Sequence, residues 1–235
     1  EFARQGFNRI PVALELLADL DTPLSVYLKV ANQPYSYLFE SVHGGERWGR
    51  YSIIGLPCRR RLVVSDHSVR LYHGDILEDD IRTEDPLAFI EQFQQQFRVP
   101  TVENLPRFTG GLVGYFGYDC VRYVEKKLAS VQKPDPIGLP DIQLMVSEEV
   151  IVFDNLKESI YLITHADPAE ANAYARALER LEQLAHRLRT AGALHEPRSD
   201  APPTREGDFR SGYGEERFRA DGDRIKEIGR ASCRE

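Results

Sequence analysis

Cysteine is scarce in this 235-residue chain: Cys58, Cys120 and Cys233 lie far apart, with no CxxC and no Cys/His ligand spacing. That excludes a disulfide scaffold or a zinc ribbon and makes a reducing cytosol, hence a cytoplasmic protein, the expected setting. An excess of positive charge is missing too. The formal net charge is -7, and the one concentrated basic run, Arg59, Arg60 and Arg61, is too short for a nucleic-acid footprint. No apolar stretch approaches the roughly 18 residues of a membrane span. The partners expected are therefore small molecules or proteins. The opening "EFARQGFNRIP" has no signal-peptide core and does not begin with methionine, so the native start is expected to be missing. At the other end "IGRASCRE" (228–235) resembles the translation of a sequencing-library adapter and is expected to be non-native; without Arg230, Arg234 and Glu235 the remainder carries -8.

The usual signatures of catalysis are equally thin. Ser41 near His43 is the one tempting nucleophile–base pair, and no GxSxG elbow supports it. Glycines 110, 111, 114 and 117 match neither GxGxxG nor GxxxxGK[ST]; among Tyr115, Phe116 and Tyr118 they read as a strand against which another backbone packs closely. The six histidines form no HExxH or HxH unit. Glu148 with Glu149, and Asp79 with Asp80, stand in polar, turn-like surroundings and are expected to be solvated.

What is present is a run of short elements. "PVALELLADLD" (11–21) has leucines at 14, 17 and 20 behind a proline, which predicts an N-terminal helix that Pro23 ends. "LSVYLKVA", "SYLFESV", "RYSIIGL", "RRLVVS" and "SVRLYH" follow as β-branched and aromatic runs between turn residues, a meander of hairpins. "DPLAFIEQFQQQF" (85–97) places Leu87, Ile90 and Phe93 on one helical face with Asp85 as N-cap. More strands are read in "TGGLVGYFGY", "DIQLMVS", "EVIVFDN" and "SIYLITH". A long helix over 168–190 carries Tyr174, Leu178, Leu181, Leu184 and Leu188 as a stripe. Residues 191–214, rich in Gly, Pro and charge, read as a mobile linker, and a helix begins at 215. The class is α+β, a mostly antiparallel set of hairpins covered by helices.

Two stretches are more specific. "SYLFESVHGGERWGRYSIIGLP" (36–57) and "LPRFTGGLVGYFGYDCVRYVE" (105–125) resemble the N-terminal region of the anthranilate synthase component I family of chorismate-utilising enzymes, and the resemblance runs from about Phe7 to Glu227. It implies an N-terminal domain over 1–190, a linker over 191–214, the start of a truncated chorismate-binding domain over 215–227, and a fold incomplete relative to the family's two-layered one. It implies a lyase that makes anthranilate and pyruvate from chorismate and ammonia in tryptophan biosynthesis, with a glutamine amidotransferase subunit (component II) as ammonia source. Mg²⁺ and chorismate ligands, and hence the catalytic residues, are expected in the missing half, so this piece alone is expected to be inactive.

The resemblance also assigns the ligand site. Glu40, Ser41 and Arg50 match the element that binds L-tryptophan as feedback inhibitor; Leu38 keeps the family's character and Phe39 departs from its second leucine. An amino acid carries an ammonium, which Glu40 can pair, and a carboxylate, which a hydroxyl or Arg50 can take. Two alternatives stay open: a subunit of the related aminodeoxychorismate synthase, and a stand-alone amino-acid-binding module.

Overall fold

The computed structural model describes residues 1–18, 21–40, 49–128, 135, 137–191 and 212–232. The chain divides into two compact units, Glu1–Leu194 and His195–Glu235. The first holds two antiparallel five-stranded sheets with helices against them, as the α+β reading expects.

Sheet A has the order β1-β10-β9-β3-β2, from β1 (Ile10–Leu17), β2 (Tyr37–Phe39), β3 (Tyr51–Gly55), β9 (Glu149–Asp154) and β10 (Ser159–Ala166). Sheet B has the order β6-β5-β4-β8-β7, from β4 (Arg60–Ser65), β5 (Ser68–His73), β6 (Ile76–Arg82), β7 (Gly111–Phe116) and β8 (Ile142–Ser147). The helices are α1 (Pro23–Val30), α2 (Pro86–Gln95), the short α3 (Val121–Val124), α4 (Ala173–Thr190) and α5 (Glu215–Ser232).

Side-chain alternation sorts each sheet into two faces. On sheet A, Ile54, Ile151, Phe153, Ile160 and Leu162 pack with Val26 and Val30 of α1 and Leu181, Leu184 and Leu188 of α4. Its other face carries Val150, Val152, Tyr161 and Ile163, met by Leu105 and Phe108. On sheet B, Leu62, Val64, Val69, Ile142, Leu144 and Val146 pack against Ile90 and Phe93 of α2. As expected, Asp85 caps α2, its Oδ1 accepting from the Ala88 N–H at 2.9 Å.

The first two elements exchange types. The predicted helix is β1, whose eight residues all pair with β10 in register from Ile10 opposite Ala166 to Leu17 opposite Ser159. Leu14 and Leu16 face the helices while Glu15 and Leu17 face away, so pairing with an apolar strand overrides the leucine spacing. The predicted strand "LSVYLKVA" is α1. Pro23 opens it instead of ending its predecessor, and Thr22 and Ser25 form a reciprocal capping box.

Two smaller expectations change. Asp79 and Asp80 are exposed, as expected, but lie not in a turn but in β6, a polar edge strand, where charge blunts an otherwise open ladder. The buried stripe of α4 is Ala177, Leu181, Leu184, Ala185 and Leu188, while Tyr174 and Leu178 are exposed; the two alanines bring the helix close to sheet A. In the second unit α5 runs from Glu215 to Ser232. The linker expectation falls on residues that, from 192 to 211, lie outside those described. The glycine reading holds: a Cβ on Gly114 would sit 1.9 Å from the Gln143 carbonyl oxygen of the paired strand β8.

Candidate functional site at the β2–β3 ribbon

Strand β2 forms one edge of sheet A, pairing with β3 in the register Tyr37 to Gly55 and Phe39 to Ile53. Tyr37 anchors this edge. Its ring fills the space over Gly55, where a Cβ would come within 1.9 Å of it, and its hydroxyl meets Ser147 Oγ at 2.8 Å. Burial pushes the Tyr37 phenol up to about 12, so it stays protonated and is a structural hydrogen-bonding group. Phe39, half exposed, packs its ring 4.9 Å from that of Tyr37.

Glu40 follows directly and is exposed. Ser41, together with His43, lies outside the described residues. Arg50 immediately precedes β3, so Glu40 and Arg50 flank the mouth of one two-stranded ribbon. Arg50 has a protein partner: its Nε reaches both carboxylate oxygens of Asp154 at 3.2 Å and its Nη2 reaches Oδ2 at 2.8 Å, while its ring neighbour is Tyr51 at 4.8 Å. Asp154, at the end of β9, is only 2 % exposed. It also accepts from the Leu156 and Lys157 N–H groups at 3.2 and 3.3 Å. Desolvation raises its carboxyl, but the Arg50 hydrogen bond and the two backbone donors outweigh that and hold it below its ordinary range. Asn155 completes the clamp by donating from Nδ2 to the Gly49 carbonyl at 3.0 Å.

Asp154 and Asn155 escape a sequence reading because they lie about a hundred residues from the ribbon they hold. The signal present is the Asp-Asn pair closing "EVIVFDN", which marks a turn without saying what that turn touches. The ribbon mouth thus carries an exposed carboxylate, Glu40, and a guanidinium, Arg50, that is held by Asp154. Burial pushes the Cys58 thiol up to about 11, leaving it protonated at neutral pH. Among the described residues no three His, Cys, Asp or Glu side chains form a cluster that could hold a metal ion. No described helix is long and apolar enough to cross a membrane.

A family model described as chorismate binding enzyme matches residues 47–230. The chain belongs to the chorismate binding enzyme family. Within that family, it is 62 % identical over 187 residues to anthranilate synthase component 1 of Pseudomonas aeruginosa, covering 80 % of this chain and 38 % of the relative. It is 51 % identical over 229 residues to the protein of the same name from Pseudomonas putida, covering 96 % and 46 %. A solved structure of anthranilate synthase component I from Streptococcus pneumoniae matches 75 % of this chain and 37 % of its own at 26 % identity, with a TM-score of 0.48. The chain therefore spans less than half the length of these chorismate binding relatives.

Proposed function

We propose that this chain is the tryptophan-sensing part of an anthranilate synthase component 1, which as a whole protein is a lyase converting chorismate and ammonia to anthranilate, pyruvate and water. The observation that carries the reading is the 62 % identity to a protein of that name over 80 % of the chain. Glu40 and Arg50 at one ribbon mouth support the sensing role, with Ser41 between them in sequence. In this reading Glu40 pairs the ammonium of tryptophan, while Ser41 and the guanidinium held by Asp154 take its carboxylate. The ammonia comes from a glutamine amidotransferase partner subunit, and Mg²⁺ and chorismate are held by residues other than those described. The setting is cytoplasmic.

The test uses the complete protein. With chorismate, ammonia and Mg²⁺ it should release anthranilate, whereas aminodeoxychorismate as product would overturn the assignment; the 235-residue chain alone should release neither. Tryptophan should inhibit; Glu40→Gln should weaken inhibition about 10- to 150-fold, the equivalent of one lost hydrogen bond to a charged group, and Ser41→Phe should weaken it further because it also fills the pocket. Their uninhibited rates should stay near that of the parent. Unchanged inhibition curves, or a collapse of the uninhibited rate, would return these residues to the role of a strand end.

A further inference from the structure

The chain passes between its two sheets at two places, through Leu56–Arg59 from β3 to β4 and through Ser147–Glu148 from β8 to β9. Beside these crossings lies a cleft of about 970 Å³, within the usual range for small-molecule sites. Neither Glu40 nor Arg50 lines it. Its walls come from both crossings, from Arg9, from Arg180 and Arg187 of α4, and from the turn His73–Asp75 between β5 and β6.

Five arginines and five carboxylates line this cleft, and their pairing is lopsided. Arg9 takes two of the acids, Glu148 at 3.1 Å and Asp167 at 2.6 Å. Arg180 grips Glu149 through two bonds of 2.7 Å. Both glutamates expected to be solvated are therefore ion-paired. Glu170 is taken by Arg176 and Asp75 lies 3.9 Å from Arg61, two arginines that stand outside the lining. Arg59, Arg60 and Arg187 are left with no carboxylate among the described residues.

The surplus cations sit on a stiff frame. Arg60 stacks its guanidinium over Phe93 at 5.8 Å and Phe97 at 6.0 Å, and Arg9 lies 5.5 Å over the same Phe97 ring, so both are oriented by packing. Behind the wall Arg61, 8 % exposed, is clamped between Tyr35 at 3.7 Å and Tyr72 at 5.0 Å and donates to the Gly74 carbonyl at 2.6 Å. That clamp fixes Tyr35 and Gly74, both lining residues, and holds Tyr35 in a left-handed backbone conformation, φ 62°, which a non-glycine residue adopts only when its surroundings impose it.

We propose that this cleft is a ligand site separate from the β2–β3 ribbon, taking a small dianion whose carboxylate or phosphate groups are gripped by Arg59, Arg60 and Arg187. Guanidinium forks match both oxyanion types bidentately. The five lining arginines match the five lining carboxylates in formal charge, and with Arg61 and Arg176, which approach Asp75 and Glu170 from outside the lining, seven arginines face five carboxylates, leaving a local excess of positive charge in a protein that is acidic overall.

Calorimetric titration of the 235-residue chain with inorganic phosphate and, separately, with malonate at constant ionic strength tests the proposal and distinguishes the two anion classes. Saturable binding of one of them is expected. Arg187 is exposed on α4, so Arg187→Gln should leave the fold intact by circular dichroism while weakening binding about tenfold or more. Arg59→Gln should do the same, and Arg82→Gln, an exposed arginine of β6 outside the cleft, should bind like the parent. No saturation with either anion, or equal affinity in the parent and Arg187→Gln, overturns the proposal.

Discussion

Asp154→Asn isolates the clamp that holds the β2–β3 ribbon. The substitution keeps side-chain volume and one carbonyl acceptor, but it removes the charge that Arg50 grips through contacts of 3.2 and 2.8 Å. Breaking a fully buried pair costs about 3–5 kcal/mol because a charge is stranded away from water. Here only the acid is buried: Asp154 is 2 % exposed, whereas the Arg50 side chain is 46 % exposed and regains water when released. The loss should therefore lie near that of hydrogen bonds to a charged group, about 1.5–3 kcal/mol. Urea unfolding of parent and variant at pH 7 reads it directly. The pH dependence supplies an internal check. A carboxyl held below its ordinary value of 3.8 in the fold contributes stability that is present in full above that value and lost as pH falls toward the lower folded value. The gap between parent and variant should thus be constant from neutral pH to about 5 and shrink below about 4. Equal stability at pH 7, or a gap that stays unchanged in acid, would refute the assignment of Asp154 as a stabilising ionised partner.

Leu162→Ala, at a fully buried position between α4 and sheet A, should cost about 2–5 kcal/mol in the same unfolding assay. Gly114→Ala should destabilise by about 1–3 kcal/mol and loosen the β7–β8 ladder, seen as faster amide exchange there, because its Cβ would meet the Gln143 carbonyl oxygen at 1.9 Å. Asp85→Ala should remove the cap of α2 at a cost of about 1 kcal/mol, while Asp85→Asn should retain most of it.

Legible in the sequence alone were the elements whose signal is local. Helix α2 announces itself through Asp85, Pro86 and the spacing of Ile90 and Phe93; α4 through its leucines; and most strands through β-branched runs between turn residues. The close packing at Gly114 follows from glycines set among aromatics, and the quoted "SYLFES" and "TGGLVGYFGY" stretches pointed to the family whose model matches 47–230. Tertiary structure decided whatever depends on partners far along the chain. "IPVALELL" and "PLSVYLKV" have comparable apolar content, and only the strand β10, about 150 residues on, makes the first a strand while a capping box and the burial of Val26 and Val30 make the second a helix. Glu148 and Glu149 look alike in sequence, yet Arg9 claims one and Arg180 the other. Charge pairing acts over a few ångströms of space and is indifferent to sequence separation, so the surplus of Arg59, Arg60 and Arg187 and the grip of Asp154 on Arg50 exist only once both sheets are folded.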